Sequence, residues 1–199
     1  METLDLVSHG DSLSKRLKAD TAAQHEELDA AIMAGRPFAS LDLYGRFLDV
    51  QRSFHRDIDE LYGDPELIRL LPGLPALRRL PLIVQDLADL GLPSPEDADA
   101  PVFAQGETHD VAEALGWLYV AEGSNLGAAF LLKRAAGLGL SESFGARHLA
   151  PAAEGRGLSW RTFAAALDAA PLGATGAARA SRGAQAAFAR IRGRVAKAF

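Results

Sequence analysis

One stretch constrains this chain more than any other: DVAEALGWLYVAEGSNLGAAFLLKRAA, Asp110 to Ala136. Apolar residues recur at helical spacing through Leu115, Leu118, Ala121, Leu126, Ala129, Phe130 and Leu132, which predicts a long amphipathic helix. Asp110 is placed to cap it, with Glu113 three residues on as the partner in a capping box. Lys133 and Arg134 fall in the last turn, where they complement the helix dipole, and Gly137 follows as a stop. The middle, Gly123-Ser124-Asn125-Leu126-Gly127, is built from poor helix formers. Each interior glycine costs roughly 1 kcal/mol relative to alanine, and Ser and Asn compete with the helix for backbone hydrogen bonds. Gly123 and Gly127 share a face and bare the backbone there, so a flat body can approach closely. Spacing alone admits two such bodies equally, a neighbouring helix or a planar ligand, with the backbone free to kink.

The other segments supply partners for that helix. Residues 12 to 34 predict a helix capped by Ser12 and ended by Gly35 and Pro37. Its apolar face carries Leu13, Leu17, Thr21, Leu28 and Ile32, and His25 lies on that face. A lone histidine there is ordinarily a core or border residue; the sharper reading is an imidazole aimed into a pocket as a ligand for iron. Lys18 is placed at the rim of the same pocket, or is an ordinary solvated lysine. A second helix runs from about Leu41 to Tyr62, with His55 a structural residue at the edge of its stripe. A short helix follows from Glu66 to Leu71, then a helical piece from Ala76 to Leu90 that Pro81 must kink or break. Arg78 and Arg79 on that piece are surface charges or reach inward to a polar network.

Leu92 to Glu107 reads as loop, and Gly139 to Gly157 as an irregular segment whose His148 is expected to be exposed. Short helix Ser159 to Ala169 precedes a last helix from about Thr175 to Ala198, bearing Phe188. From Ala169 onward there is no acid, and the arginines there predict a solvated face or a dock for an acidic partner. No strand-period segment occurs, so the fold class is all-α, with 1–199 as one domain and 1–11 a flexible N-terminal segment.

Several classes fall away. The net charge of −5 disfavours nucleic acid, and the absence of cysteine excludes disulfides, thiolate metal sites and thiol nucleophiles. No apolar run approaches the roughly 18 residues of a membrane span, and METLDLVSHGDS has no signal-peptide pattern. The expectation is a cytoplasmic domain without a membrane anchor. Phosphate loops, nucleophile elbows and HExxH are absent, and paired ExxH motifs on facing helices are not seen. Glu122 reads as a polar-face or supporting carboxylate rather than an acid–base catalyst.

What survives is a sandwich, an imidazole on one helix and bare backbone on another, which suits a heme. LKADTAAQHEELDAAI, Leu17 to Ile32, resembles the proximal helix of the bacterial heme oxygenases, with His25 at the position of the iron ligand. EALGWLYVAEGSNLGAAFLLKRA, Glu113 to Ala135, resembles their distal helix, and FGARHLA follows at the family's usual distance. The likeness extends through RFLDVQRSFHRDIDELY, LPGL and DLADLG over nearly the whole chain. It implies a multi-helical fold with heme between a proximal helix and a kinked distal one. The implied activity is oxidative opening of heme to biliverdin, carbon monoxide and ferrous iron. Heme serves as substrate and cofactor, dioxygen as oxidant, and a ferredoxin or similar reductase system as electron donor.

The resemblance also assigns residues. Gly123 and Gly127 let the distal helix lie over the ring, and Ser124 stands where animal members carry an acid. Backbone groups around Gly123 and Asn125 then hold a distal water, joined by Arg79. Lys18 and Tyr119 match the family's propionate partners and imply opening at the α-meso carbon, while Phe188 matches an aromatic flanking the heme and reads equally well as core packing. An α product suits supply of biliverdin to a bacterial phytochrome; iron acquisition is the other purpose. A heme carrier or sensor on the same scaffold, and a plain helical interaction module, are the competing readings.

Overall fold

Prolines and polar caps set where the helices begin. The computed structural model describes residues 12–93 and 99–199; the segment 1–11, expected to be flexible, lies outside the described residues, as do positions 94–98 of the loop. The Ser40 hydroxyl accepts from the Leu43 N–H to open α3 (Leu41–Asp57). Asp64 accepts from the N–H groups of Glu66 and Leu67, with Pro65 leading α4 (Pro65–Leu70). Pro81 breaks the expected 76–90 piece: Leu74–Leu77 is a 3₁₀ turn, and α5 (Leu80–Asp89) starts afresh with the proline in its first turn. Asp110 accepts from the Glu113 N–H at the head of α6 (Val111–Ala136), which runs as unbroken α-helix through Gly123 and Gly127. Arg156–Asp168 forms α7 and Gly173–Ala198 forms α8.

The first expected helix is two. Leu13–Asp20 (α1) and Ala22–Ala34 (α2) meet at Thr21, whose φ of −120° leaves the helical range. The Thr21 hydroxyl donates to the Leu17 carbonyl at 2.7 Å, a local bond that competes with the helix and bends it. Ser12 does not cap α1; Asp168 of α7 does, accepting from the Ser14 N–H at 2.7 Å and the Ser14 hydroxyl at 3.0 Å.

The long helix α6 crosses both halves of the core. Its first part joins a cluster with Leu17, Phe54, Leu61, Phe163 and Ile191; Ala128 and Ala135 join a second one with Tyr44, Phe47, Ile83 and Leu149. The expected amphipathic stripe therefore needs correction. From Ala114 to Leu118 the helix is buried all round, whereas Leu126 and Phe130 are 45% and 55% exposed. Its most extensive neighbour is α8, and α2 packs chiefly on α8 as well.

The arginine-rich α8 is neither a bare solvated face nor a free dock. Arg179 pairs with Asp110, Arg190 with Asp57, Arg192 with Glu27 and Arg194 with Asp99, so most of its charge is answered within the fold. No helix among the described residues is long and apolar enough to cross a membrane.

Candidate functional site

The bare face of α6 does not serve helix packing. A Cβ added at Gly127 would meet no atom within 4 Å, and one at Gly123 would meet only the edge of the Trp160 ring at 3.7 Å. Exposed Leu126 and Phe130 continue the same stripe. An apolar stripe with bare backbone is what a planar apolar ligand requires; α7 reaches its Gly123 end through Trp160, and no neighbouring helix covers it at Gly127. Gly127→Ala should therefore stabilise the ligand-free protein by about 0.5–1 kcal/mol through helix propensity. The same methyl stands on the face a flat ligand would lie against, so thermal melting and ligand affinity should move in opposite directions.

His25 lies on α2 with its side chain 60% exposed and its Nδ1 3.3 Å from Asp29 Oδ2, one turn on. Asp29 stands beside one ring nitrogen and leaves Nε2 clear for a metal. The Phe188 ring of α8 stands edge-on to the imidazole, with centroids 5.9 Å apart. Lys18 is exposed in the last turn of α1, and α1 touches α6, the helix of Tyr119. Tyr119 is half-buried beside Trp160, centroids 5.7 Å apart, and Trp160 stacks on Phe163. These residues fit a heme: one free imidazole nitrogen, an aromatic flank, a bare backbone and a cation on a helix that touches the one carrying the phenol.

Behind the glycines lies a polar cluster. Glu122 is buried; the Tyr62 hydroxyl donates to its Oε1 at 2.9 Å and Asn125 Nδ2 to its Oε2 at 3.0 Å. Burial raises the Glu122 carboxyl to about 7, against the opposing pull of Arg79, Tyr62 and Asn125. A cavity of about 10 Å³, room for one water, is lined by Glu122, Asn125, Arg79, Arg156, Ser159 and Trp160 among others. Arg79 is buried and donates through Nη1 to the His148 carbonyl at 2.6 Å, while its Nε has no hydrogen-bond partner. Arg156 Nη1 donates to the Asn125 carbonyl at 3.1 Å. Ser124 stands apart, its hydroxyl turned back to the Ala121 carbonyl at 2.7 Å.

His148 corrects the sequence reading, which left it exposed. It is buried, with Nδ1 2.8 Å from Asp86 Oδ2, and burial lowers its pKa despite that carboxylate. His55 is likewise buried and pushed down to about 3, first by desolvation and then by the Arg79 and His148 charges. Neither Tyr62, Trp160 nor Arg156 was singled out from the sequence; nothing local marks them, since Tyr62 lies 60 positions from the carboxylate it serves.

Comparisons with known proteins show the family and the fold. Residues 11–196 match the heme oxygenase family model. Heme oxygenase PigA from Pseudomonas aeruginosa is 44% identical over 192 residues, covering 96% of each chain. The NO- and CO-bound heme oxygenase from Neisseria meningitidis superposes with a TM-score of 0.87 at 42% identity, over 95% of this chain and 92% of that one.

Proposed function

This chain belongs to the heme oxygenase family and degrades heme to biliverdin; from that premise we propose that it opens the ring at the α-meso carbon, with His25 holding the iron. The uncovered face of α6, with Gly127 open and Leu126 and Phe130 exposed, is the observation that carries the site assignment. Heme supplies both the iron that activates dioxygen and the ring that is opened. Asp29 steadies the imidazole of His25, Gly123 and Gly127 admit the ring close to backbone, and Phe188 flanks it. Arg79 and Asn125 keep water on the oxygen side. Electrons come from an external donor, here a ferredoxin or similar reductase system.

Lys18 and Tyr119 hold the propionates and so set the in-plane orientation of the ring. Lys18→Ala should yield a mixture of biliverdin isomers, resolved by chromatography of the products. A single unchanged isomer would sink that assignment. We place the enzyme in the cytoplasm, and an α product favours supply of chromophore to a bacterial phytochrome over iron acquisition alone.

The test of the function is hemin addition followed by ascorbate or a reductase. Loss of the Soret band with growth of biliverdin absorbance is the expected result. A stable reduced spectrum would make the protein a carrier or sensor, and no binding of hemin would make it an interaction module.

A further inference from the structure

Glu122 is an expensive residue for a helix to bury. An ionised carboxylate out of water is tolerated only when its oxygens are hydrogen-bonded and a cation is near. Both oxygens here have a donor, and Arg79 is the cation. A glutamine of the same shape would fill the space without that cost, so the charge calls for a purpose beyond packing. Its position offers one, because it is adjacent in sequence to Gly123 and lines the one-water cavity.

Building on the heme oxygenase reading, we propose that Glu122 is the positioning carboxylate of the oxygen side of the site. It holds the Asn125 amide and a water shared with Arg79, and thereby fixes where a proton stands next to Gly123. Asn125 Nδ2 gives one hydrogen to Glu122, and its Oδ1 is the side chain's acceptor for that water. The buried Arg79 Nε, with no hydrogen-bond partner, is the second group a water in this region satisfies.

The groups facing Glu122 come from four elements: Tyr62 from the 59–63 turn, Arg79 from the head of α5, Asn125 from α6 and Arg156 from α7. His55 and His148, coupled to Arg79, are held neutral by burial, and burial also raises the Tyr62 phenol. Glu122 is therefore the member of this group whose charge changes near neutral pH. The sign is definite. A carboxyl that keeps its proton to about 7 in the folded chain, against 4.5 in the free side chain, favours folding below pH 4.5. That contribution is lost as pH rises through 7.

Three readouts test this on wild type and Glu122→Gln: the visible spectrum of the ferric hemin complex against pH, the pH profile of biliverdin formation, and thermal melting of the heme-free protein at pH 5 and 8. Wild type should show an inflection near 7 in the first two, and its melting temperature should fall from pH 5 to 8 more than that of the variant. Glu122→Gln should bind hemin within about threefold of wild type, lose the inflection, and form biliverdin about tenfold more slowly at pH 8, where the wild-type group is ionised. Tyr62→Phe keeps the carboxylate and removes a donor, so it should move the inflection upward; it serves also if Glu122→Gln fails to fold. Glu122→Asp should restore an inflection. An unchanged spectrum and pH profile in Glu122→Gln, even with altered melting, would make the carboxylate merely structural and overturn the proposal. A wild-type protein that turns hemin over with no inflection near 7 overturns it equally, and leaves the enzymatic reading standing. Failure of wild type to bind or consume hemin is the separate result that removes the reading itself.

Discussion

Gly116→Ala is expected to destabilise the protein by about 3 kcal/mol or more, a large share of the roughly 5–15 kcal/mol that holds a domain folded. The added methyl would stand 2.6 Å from the Ala184 nitrogen and closer still to the Ala180 carbonyl oxygen. Both obstacles are backbone of α8, so no rotamer change relieves them; α6 and α8 must move apart. Gly183→Ala meets the reciprocal wall, with its methyl 2.8 Å from the Glu113 carbonyl carbon. The two substitutions press on one seam, so their combination should cost less than their sum. Gly193, also on α8, has nothing within 4 Å of its would-be Cβ, and Gly193→Ala should instead stabilise by about 0.5–1 kcal/mol. Urea denaturation of the four variants measures all of this. Equal small effects at Gly116 and Gly193 would show that the seam yields.

These glycines also show what a sequence can and cannot display. Gly123 and Gly127 stand out because Ser, Asn and a second Gly weaken the same two turns. Gly116, between Leu115 and Trp117, has no such setting, yet it is the glycine that helix packing uses. Its meaning depends on Gly183, which no local pattern connects to it. Helix ends were legible where the cause was local, as at Asp64-Pro65 and Pro81. They were not where it was remote, as with Asp168 capping α1, or where a single hydroxyl bond decided, as at Thr21. Leu126 and Phe130 have the spacing of core residues because a stripe that faces a ligand and one that faces a helix obey the same period. The His148 reading failed for the opposite reason: loops are ordinarily exposed, but Asp86, 62 residues earlier, draws this one inside.

His25→Ala should leave the fold intact and remove iron ligation. The imidazole is mostly exposed, so its loss forfeits little more than the edge contact with Phe188, about 0.5–1 kcal/mol. The other described histidines offer no substitute. His55 and His148 are sealed in the interior, and His109 lies 3.6 Å from Asp64 with its ring edge-on to Phe103. Hemin should still bind, because the stripe of α6 and Lys18 are untouched, but with an altered Soret band. Biliverdin formation should fall by more than about 100-fold, since even an outer partner of a ligating histidine is worth 10- to 100-fold at a metal site. Asp29→Ala, which frees Nδ1 but keeps the ligand, should retain the wild-type ligation spectrum and lose activity within that smaller range. The pair of variants separates ligation from orientation. A His25→Ala complex with the wild-type spectrum would move the proximal ligand to another residue.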